Sequence, residues 1–369
     1  MSRCRMNTIT CLLLAAVILS GCWDSQLLTN KKIINGISFD AAKGGQLLGS
    51  VRTIILESKG GGQFDVKDDF KQTTGASASI VASKIDNMLP GTVEISKTHV
   101  IILGDELAKK GILPPLEPII RSPKGFLEAH LLISTGEAAD VLGFKKIENN
   151  PVAFGIKQIL DGAHRATLIK DQTLYSAWSN VYDPGVDIVL PLIRKISNNA
   201  LAIDGIALMQ GSRYSGMSLQ GEEASLLLLM QGTLGKLAML NIPEETDVVS
   251  FQVRRLKHKL DVTYNNRTGA VECTVKVELY GTVQSDPSAL GSPIDKEAMT
   301  KKLSETISQQ AVGVIRKMQQ ANCDALGIGR KLSIHYPAQW KKMNWEEKYQ
   351  EVTIKPVFRV HIRSTGIIS

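Results

Sequence analysis

Residues 295–320 read DKEAMTKKLSETISQQAVGVIRKMQQ, and residues 351–362 read EVTIKPVFRVHI. In the first stretch Met299, Leu303, Ile307, Ala311, Val314 and Met318 recur at three- and four-residue steps, which lays one apolar stripe along a long helix. In the second, Val352, Ile354, Phe358, Val360 and Ile362 alternate with Glu351, Thr353, Lys355, Arg359 and His361. That is a strand buried on one face, with Pro356 marking an edge or a bulge. A sheet with one long helix packed across it follows, and the one-face-polar alternation suits antiparallel pairing.

Upstream in the same half, Leu201–Met209, Thr246–Val253 and Val271–Val283 read as strands and Glu222–Met230 as a leucine-rich helix. Before Asn199 the pattern alternates between the two periods. Ile33–Phe39 and Gln46–Leu56 flank a turn, and Gly60-Gly61-Gly62 opens a flexible stretch to about Thr74. Ser77–Leu89 has helical spacing, with Ile80, Val81, Ile85, Met88 and Leu89 on one side, and stops at Pro90-Gly91. His99–Leu103 and His130–Ser134 are buried strands, and Pro114–Arg121 is a short helix. Residues 149–199 are less periodic and end in Ser197-Asn198-Asn199. The expected organisation is therefore residues 1–21 as a signal, 22–199 as an α/β domain, and 200–369 as an α+β domain. A small middle domain near 151–199 fits the same pattern. The fold class is α+β, of mixed α/β type, with mostly antiparallel sheets flanked by helices.

The first residues carry an address. Arg3 and Arg5 precede an apolar run from Ile9 to Leu19 and then Leu19-Ser20-Gly21-Cys22. A basic start, a short apolar stretch and small residues before a cut make a secretory signal. As a helix the run reaches about 17 Å, against roughly 30 Å of hydrocarbon, too short for a permanent span. The small-small-Cys ending resembles a bacterial lipobox, which implies cleavage between Gly21 and Cys22 and lipidation of Cys22. Two acyl chains, at about 0.8 kcal/mol per buried methylene, hold a protein firmly where one does not.

With Arg3 and Arg5 removed, 41 basic residues face 36 acidic ones, a net +5. That is too mild for a nucleic-acid partner, and anionic lipid stays open. After export and lipidation only Cys273 and Cys323 remain as thiols, so there is no disulfide framework. One bridge between them is conceivable outside the cytoplasm. Cys273 nevertheless lies on the apolar side of Val271–Leu279, where a free Cys serves as a small core residue.

The chemistry of an enzyme is missing from the motifs. There is no HExxH, paired CxxC or phosphate loop, and Gly216-Met217-Ser218-Leu219 lacks the closing Gly of a nucleophile elbow. The His residues are scattered, with no local metal spacing. Gly327-Ile328-Gly329 after Asp324 suits a turn better than a nucleotide loop. No catalytic, cofactor or metal residue is expected.

Three segments resemble the Ger(x)C family, the C-subunit lipoproteins of bacterial spore germinant receptors. The first is Gly21-Cys22-Trp23-Asp24 with the apolar strand Ile33–Asp40, although Gln26 stands where an acidic residue is usual. The second is Ile203-Asp204-Gly205-Ile206-Ala207-Leu208-Met209 leading to Glu222-Glu223. The third is Asp324-Ala325-Leu326-Gly327-Ile328-Gly329, then Pro337-Ala338-Gln339-Trp340, Trp345, and a last strand closing in Arg363-Ser364-Thr365-Gly366. The resemblance implies an elongated multidomain lipoprotein without catalysis. It would sit on the outer face of the spore's inner membrane and work with a membrane A subunit and a transporter-like B subunit. The alternative from another class is a substrate-binding lipoprotein of a nutrient transporter.

For contact with partners, Trp340, Lys341, Lys342, Trp345, Lys355 and Arg359 form the candidate surface. Between Arg330 and Arg363 eight basic residues face three Glu, a net +5. The two Trp either anchor an interface or close the core between the long helix and the last strand. The charges either face anionic lipid or an acidic partner loop, or simply keep that surface solvated.

Overall fold

A computed structural model describes residues 31–60, 63–123, 125–198, 200–243, 247–287 and 295–364. Strand β1 (Lys31–Ala41) pairs antiparallel with β2 (Leu47–Gly60), which pairs antiparallel with β3 (Gln63–Gly75). The stretch after Gly60 that reads as flexible is therefore an edge strand. Its polarity reflects one solvent-facing side. Its inner side is pinned by Asp68, which lies 3.7 Å from the buried guanidinium of Arg52 and accepts from the amide of Val152.

Helix α1 (Ala78–Met88), capped by Ser77, lies across these strands and buries Val81 and Ile85. Ile80 and Met88, placed by spacing on the same side, are exposed instead. A short strand β4 (Thr92–Glu94) runs beside the start of β1. Then β5 (Val100–Gly104), β6 (His130–Ser134) and β7 (Val189–Ser197) extend the sheet in parallel from β1. Their uninterrupted apolar runs have a simple cause, since both faces are covered. Helices α2 (Asp105–Lys110), α3 (Leu113–Arg121) and α6 (Leu174–Val181) join α1 over one face, where Ile101, Leu103, Leu131 and Ile133 point. Helices α4 (Ala138–Leu142) and α5 (Val152–Arg165) lie over the other, against Val100, Ile102 and Leu132.

The sheet does not stop at residue 199. Strands β8 (Ala200–Gln210) and β9 (Arg213–Leu219) continue it as antiparallel hairpins from β7. Ser197 at the end of β7 pairs with Ala200 at the start of β8, within one sheet. Residues 151–198 contribute α5, α6 and β7 to that sheet's layers. The change of sheet comes after Leu219, through α7 (Glu222–Met230). Every residue of α7 from Ala224 to Met230 is buried, as expected for a helix apolar all round.

The second sheet runs β10 (Ala238–Pro243), β11 (Val248–Tyr264), β12 (Val271–Ser285), β13 (Thr353–Ser364). The long helix α8 (Lys296–Gln320) connects β12 to β13, and its six expected stripe residues are all buried. Because α8 is a crossover, β13 lies parallel to β12, contrary to the antiparallel pairing suggested by its alternation. Alternation reports one covered face and does not report strand direction. Strand β13 is the sheet edge, which accommodates Pro356. Its outward amides are sealed by α8: Phe358 N–H donates to Ser308 Oγ and Val360 N–H to Ser304 Oγ, both at 3.0 Å. One core cluster runs from Val100 in the first sheet to Val360 in the second, so the two halves share a hydrophobic interior.

Candidate functional site

The residues of the third family-like segment converge at the end of α8. Asp324 follows the helix and is almost wholly buried. Its Oδ1 accepts from the Ile328 amide at 3.0 Å, and its Oδ2 from the Gly329 amide at 2.8 Å and from Trp345 Nε1 at 3.2 Å. Ile328 opens α9 (Ile328–His335), so the carboxylate caps that helix while holding the indole. Gly329 has to be glycine for contact reasons, since a Cβ there would sit 2.5 Å from Trp345 Nε1.

A second carboxylate completes the arrangement. Asp187, just before β7, accepts from the Asp324 amide and from the Gly211 amide, each at 2.7 Å. In return its own amide donates to the Asp324 carbonyl at 3.0 Å. Arg330 adds an ion pair to Asp183 at 2.6 Å. The D-x-x-G-x-G segment is therefore a latch. It ties the end of α8 to the loop before β7 and to the β8–β9 turn. Burial lifts Asp324 to about 7 despite its three N–H donors, and it raises Asp187 as well. Their carboxylate oxygens are engaged by protein donors, which gives the pair a structural role.

The other family-like segments are structural in the same sense. Asp40, at the end of β1, accepts from the amides of Ala138 and Ala139 at 2.6 and 2.8 Å and so caps α4, with burial raising it to about 6. Gly205 has φ +124°, and a Cβ there would meet the Leu219 carbonyl oxygen at 2.0 Å. Glu223 pairs with Lys317 of α8 at 2.5 Å, and Glu222 accepts from the Asn241 amide of β10 at 2.7 Å. Cys273 and Cys323 are free and buried. Burial pushes the Cys273 thiol up to about 12 and Cys323 upward too, so both stay protonated and unreactive at neutral pH.

The six candidate surface residues separate into two groups. Trp340 closes α10 (Pro337–Trp340) and lies 5.7 Å, ring to ring, from Trp345, which opens α11 (Trp345–Lys348). Both rings are half-buried against the shared core, and Trp345 lies 5.8 Å from the buried Tyr349. Lys341 and Lys342 follow as an exposed pair. Lys355 and Arg359 instead stand on the solvent face of β13, opposite Thr274 and Glu278 of β12. Gly21 and Cys22 lie outside the described residues. Among the described residues no group of three or more His, Cys, Asp or Glu could hold a metal ion. No described helix is long and apolar enough to cross a membrane.

Sequence reading missed a further constellation on that solvent face. Tyr280 of β12 stacks on His361 of β13 with ring centroids 4.5 Å apart and planes within 11°. Arg255, Lys257 and Arg363 each hold their charge 5.4–5.5 Å from the Tyr280 ring centre. The signal was present in Arg255, Lys257 and Lys259 alternating with Leu256 and Leu260. A bulge between Val253 and Arg255 shifts the phase and hides the continuation of β11.

Fold and latch together define a two-part protein whose motif residues serve architecture. Two family models match the chain in order: the spore germination protein N-terminal domain over residues 24–195, and the spore germination B3/GerAC-like C-terminal domain over 204–366. The chain belongs to the Ger(x)C family of spore germination proteins. It is 22% identical to spore germination protein KC of Bacillus subtilis (strain 168), covering 96% of this chain and 95% of that one. It is 20% identical to spore germination protein GerQC of Bacillus cereus, covering 96% and 98% respectively. The crystal structure of the GerBC protein shares the fold, with a TM-score of 0.60 at 18% identity over 92% of this chain and all of that one.

Proposed function

We propose that this chain is the lipid-anchored, non-catalytic C subunit of a spore germinant receptor. It acts with a membrane A subunit and a transporter-like B subunit on the outer face of the spore's inner membrane. The observation that carries this reading is the end-to-end agreement with both halves of the family, in order, across residues 24–195 and 204–366. The latch supports it, because the motif residues that could have been catalytic are occupied in joining the two sheets. Lipid on Cys22, as a thioether-linked diacylglycerol with an acylated amine, supplies the anchor. A soluble body held at a membrane meets its partners at high local concentration, so modest contacts through Trp340, Lys341, Lys342, Trp345, Lys355 and Arg359 suffice.

Cys22 is the residue to change. In sporulating cells Cys22→Ala should abolish incorporation of radiolabelled fatty acid and leave the leader attached or the body released. Germination should fail with it. A Cys22→Ala chain that is processed, carries lipid and supports germination would overturn the anchor.

A further inference from the structure

The outer face of the second sheet is open, because α7 and α8 cover only the inner one, and its charges are unevenly distributed. Cross-strand register places Arg255, Tyr280 and His361 in one row, and Lys257, Glu278 and Arg359 in the next. Lys259 and Lys276 share the third row with Val357, and Lys355 follows beside Thr274 and Asp261. Arg363 reaches over the Tyr280 ring from the far end.

Of the three acids on this face, Glu272 lies in the end row, four rows from Tyr280, and the other two are already committed. Glu278 accepts from Tyr280 Oη at 2.6 Å and pairs with Lys257 at 3.3 Å. Asp261 is shared by Lys259 at 2.7 Å and Lys276 at 3.0 Å. Arg255, Lys355, Arg359 and Arg363 have no carboxylate within 4 Å among the described residues. The face is thus an electropositive plane three strands wide, densest around Tyr280.

We propose that this face docks on an anionic lipid surface, with the Tyr280 cradle of Arg255, Lys257 and Arg363 receiving lipid phosphate. Charge complementarity selects the occupant. A protein partner would meet Tyr280, Arg255 and Arg363 without the surrounding apolar side chains that exclude water from an interface centre. None of the large hydrophobic side chains that are strongly exposed among the described residues lies within 255–263, 272–282 or 353–363. A polar, cationic surface matches a headgroup layer. The membrane is near only if the chain is anchored as proposed above, so vesicle association and protection of this face are read separately.

The test is lysine acetylation footprinting of the full chain, mixed with vesicles of phosphatidylcholine alone or with added phosphatidylglycerol, read by mass spectrometry. With phosphatidylglycerol, labelling of Lys257, Lys276 and Lys355 should fall about fivefold relative to phosphatidylcholine, the factor equivalent to about 1 kcal/mol per cation. Lys109 and Lys145 of the first half should be unchanged, and high salt should restore labelling. Arg255→Glu with Arg363→Glu should remove protection of Lys257, with an unaltered melting transition confirming the fold. Lys355→Glu with Arg359→Glu serves if that pair does not fold. Equal labelling in both vesicles, or protection seen only when partner subunits are present, would overturn the lipid assignment. Flotation of wild type and Cys22→Ala on phosphatidylcholine reports the anchor independently of this face.

Discussion

Asp324 holds two amides and an indole with one carboxylate, and it does so almost without solvent. Its acidity is therefore a stability statement. The folded state holds the proton to about pH 7, whereas the unfolded chain releases it near 4. Between those values only the folded state is protonated, so stability falls as pH rises, by about 1.4 kcal/mol per pH unit at most. Asp40, raised to about 6, acts in the same direction over a narrower window. Urea midpoints should drop from pH 5 to pH 7.5, and Asp324→Asn, though less stable, should flatten that slope. A midpoint that climbs across this range would contradict the assignment. Gly329→Ala should displace Trp345, cost about 1–3 kcal/mol and shift the tryptophan emission, because its Cβ has no room. Cys273→Ser should cost a similar amount, about 1–3 kcal/mol in urea melts, through a buried hydroxyl without a partner. The Asp and Gly of the latch were visible in the sequence as motif letters. Asp187 was not, because its role comes from a contact 137 residues away.

At the scale of elements, the helix α8 and strand β13 were the most legible features, since a covered face imprints its period on the chain. Strand β3 was missed because an edge strand with one wet face has little apolar signal. Helices α5 and α6 were missed because Gly155 and Gly162 weaken the helical signal inside α5, and α6 spans only eight residues. The direction of β13 could not be read from its own residues at all; the crossover helix sets it. Sealing of the β13 edge by Ser304 and Ser308 makes a specific claim about that helix. Ser304→Ala with Ser308→Ala should leave two edge amides without acceptors, at about 1 kcal/mol each. Hydrogen exchange at Phe358 and Val360 should accelerate by about fivefold, the factor for about 1 kcal/mol. Unchanged exchange at both would mean the seal contributes nothing.

Across the whole molecule, two family segments share one core, with α7 buried between the sheets. Leu227→Ala in α7 should cost about 2–5 kcal/mol. It should destabilise β5 and β12 together when hydrogen exchange is followed in both. Independent loss of one sheet would show that the halves are only loosely joined. A shared core of this kind suits the proposed receptor subunit, which would brace contacts along its length.

The receptor assignment itself is tested most directly by affinity purification of the tagged chain from detergent-solubilised spore membranes, with mass spectrometry of what accompanies it. Membrane A and B subunits recovered together with a chain lipidated at Cys22 are the predicted result. A chain recovered without them, carrying instead one tightly bound small molecule, would contradict the assignment and point to a nutrient-binding lipoprotein.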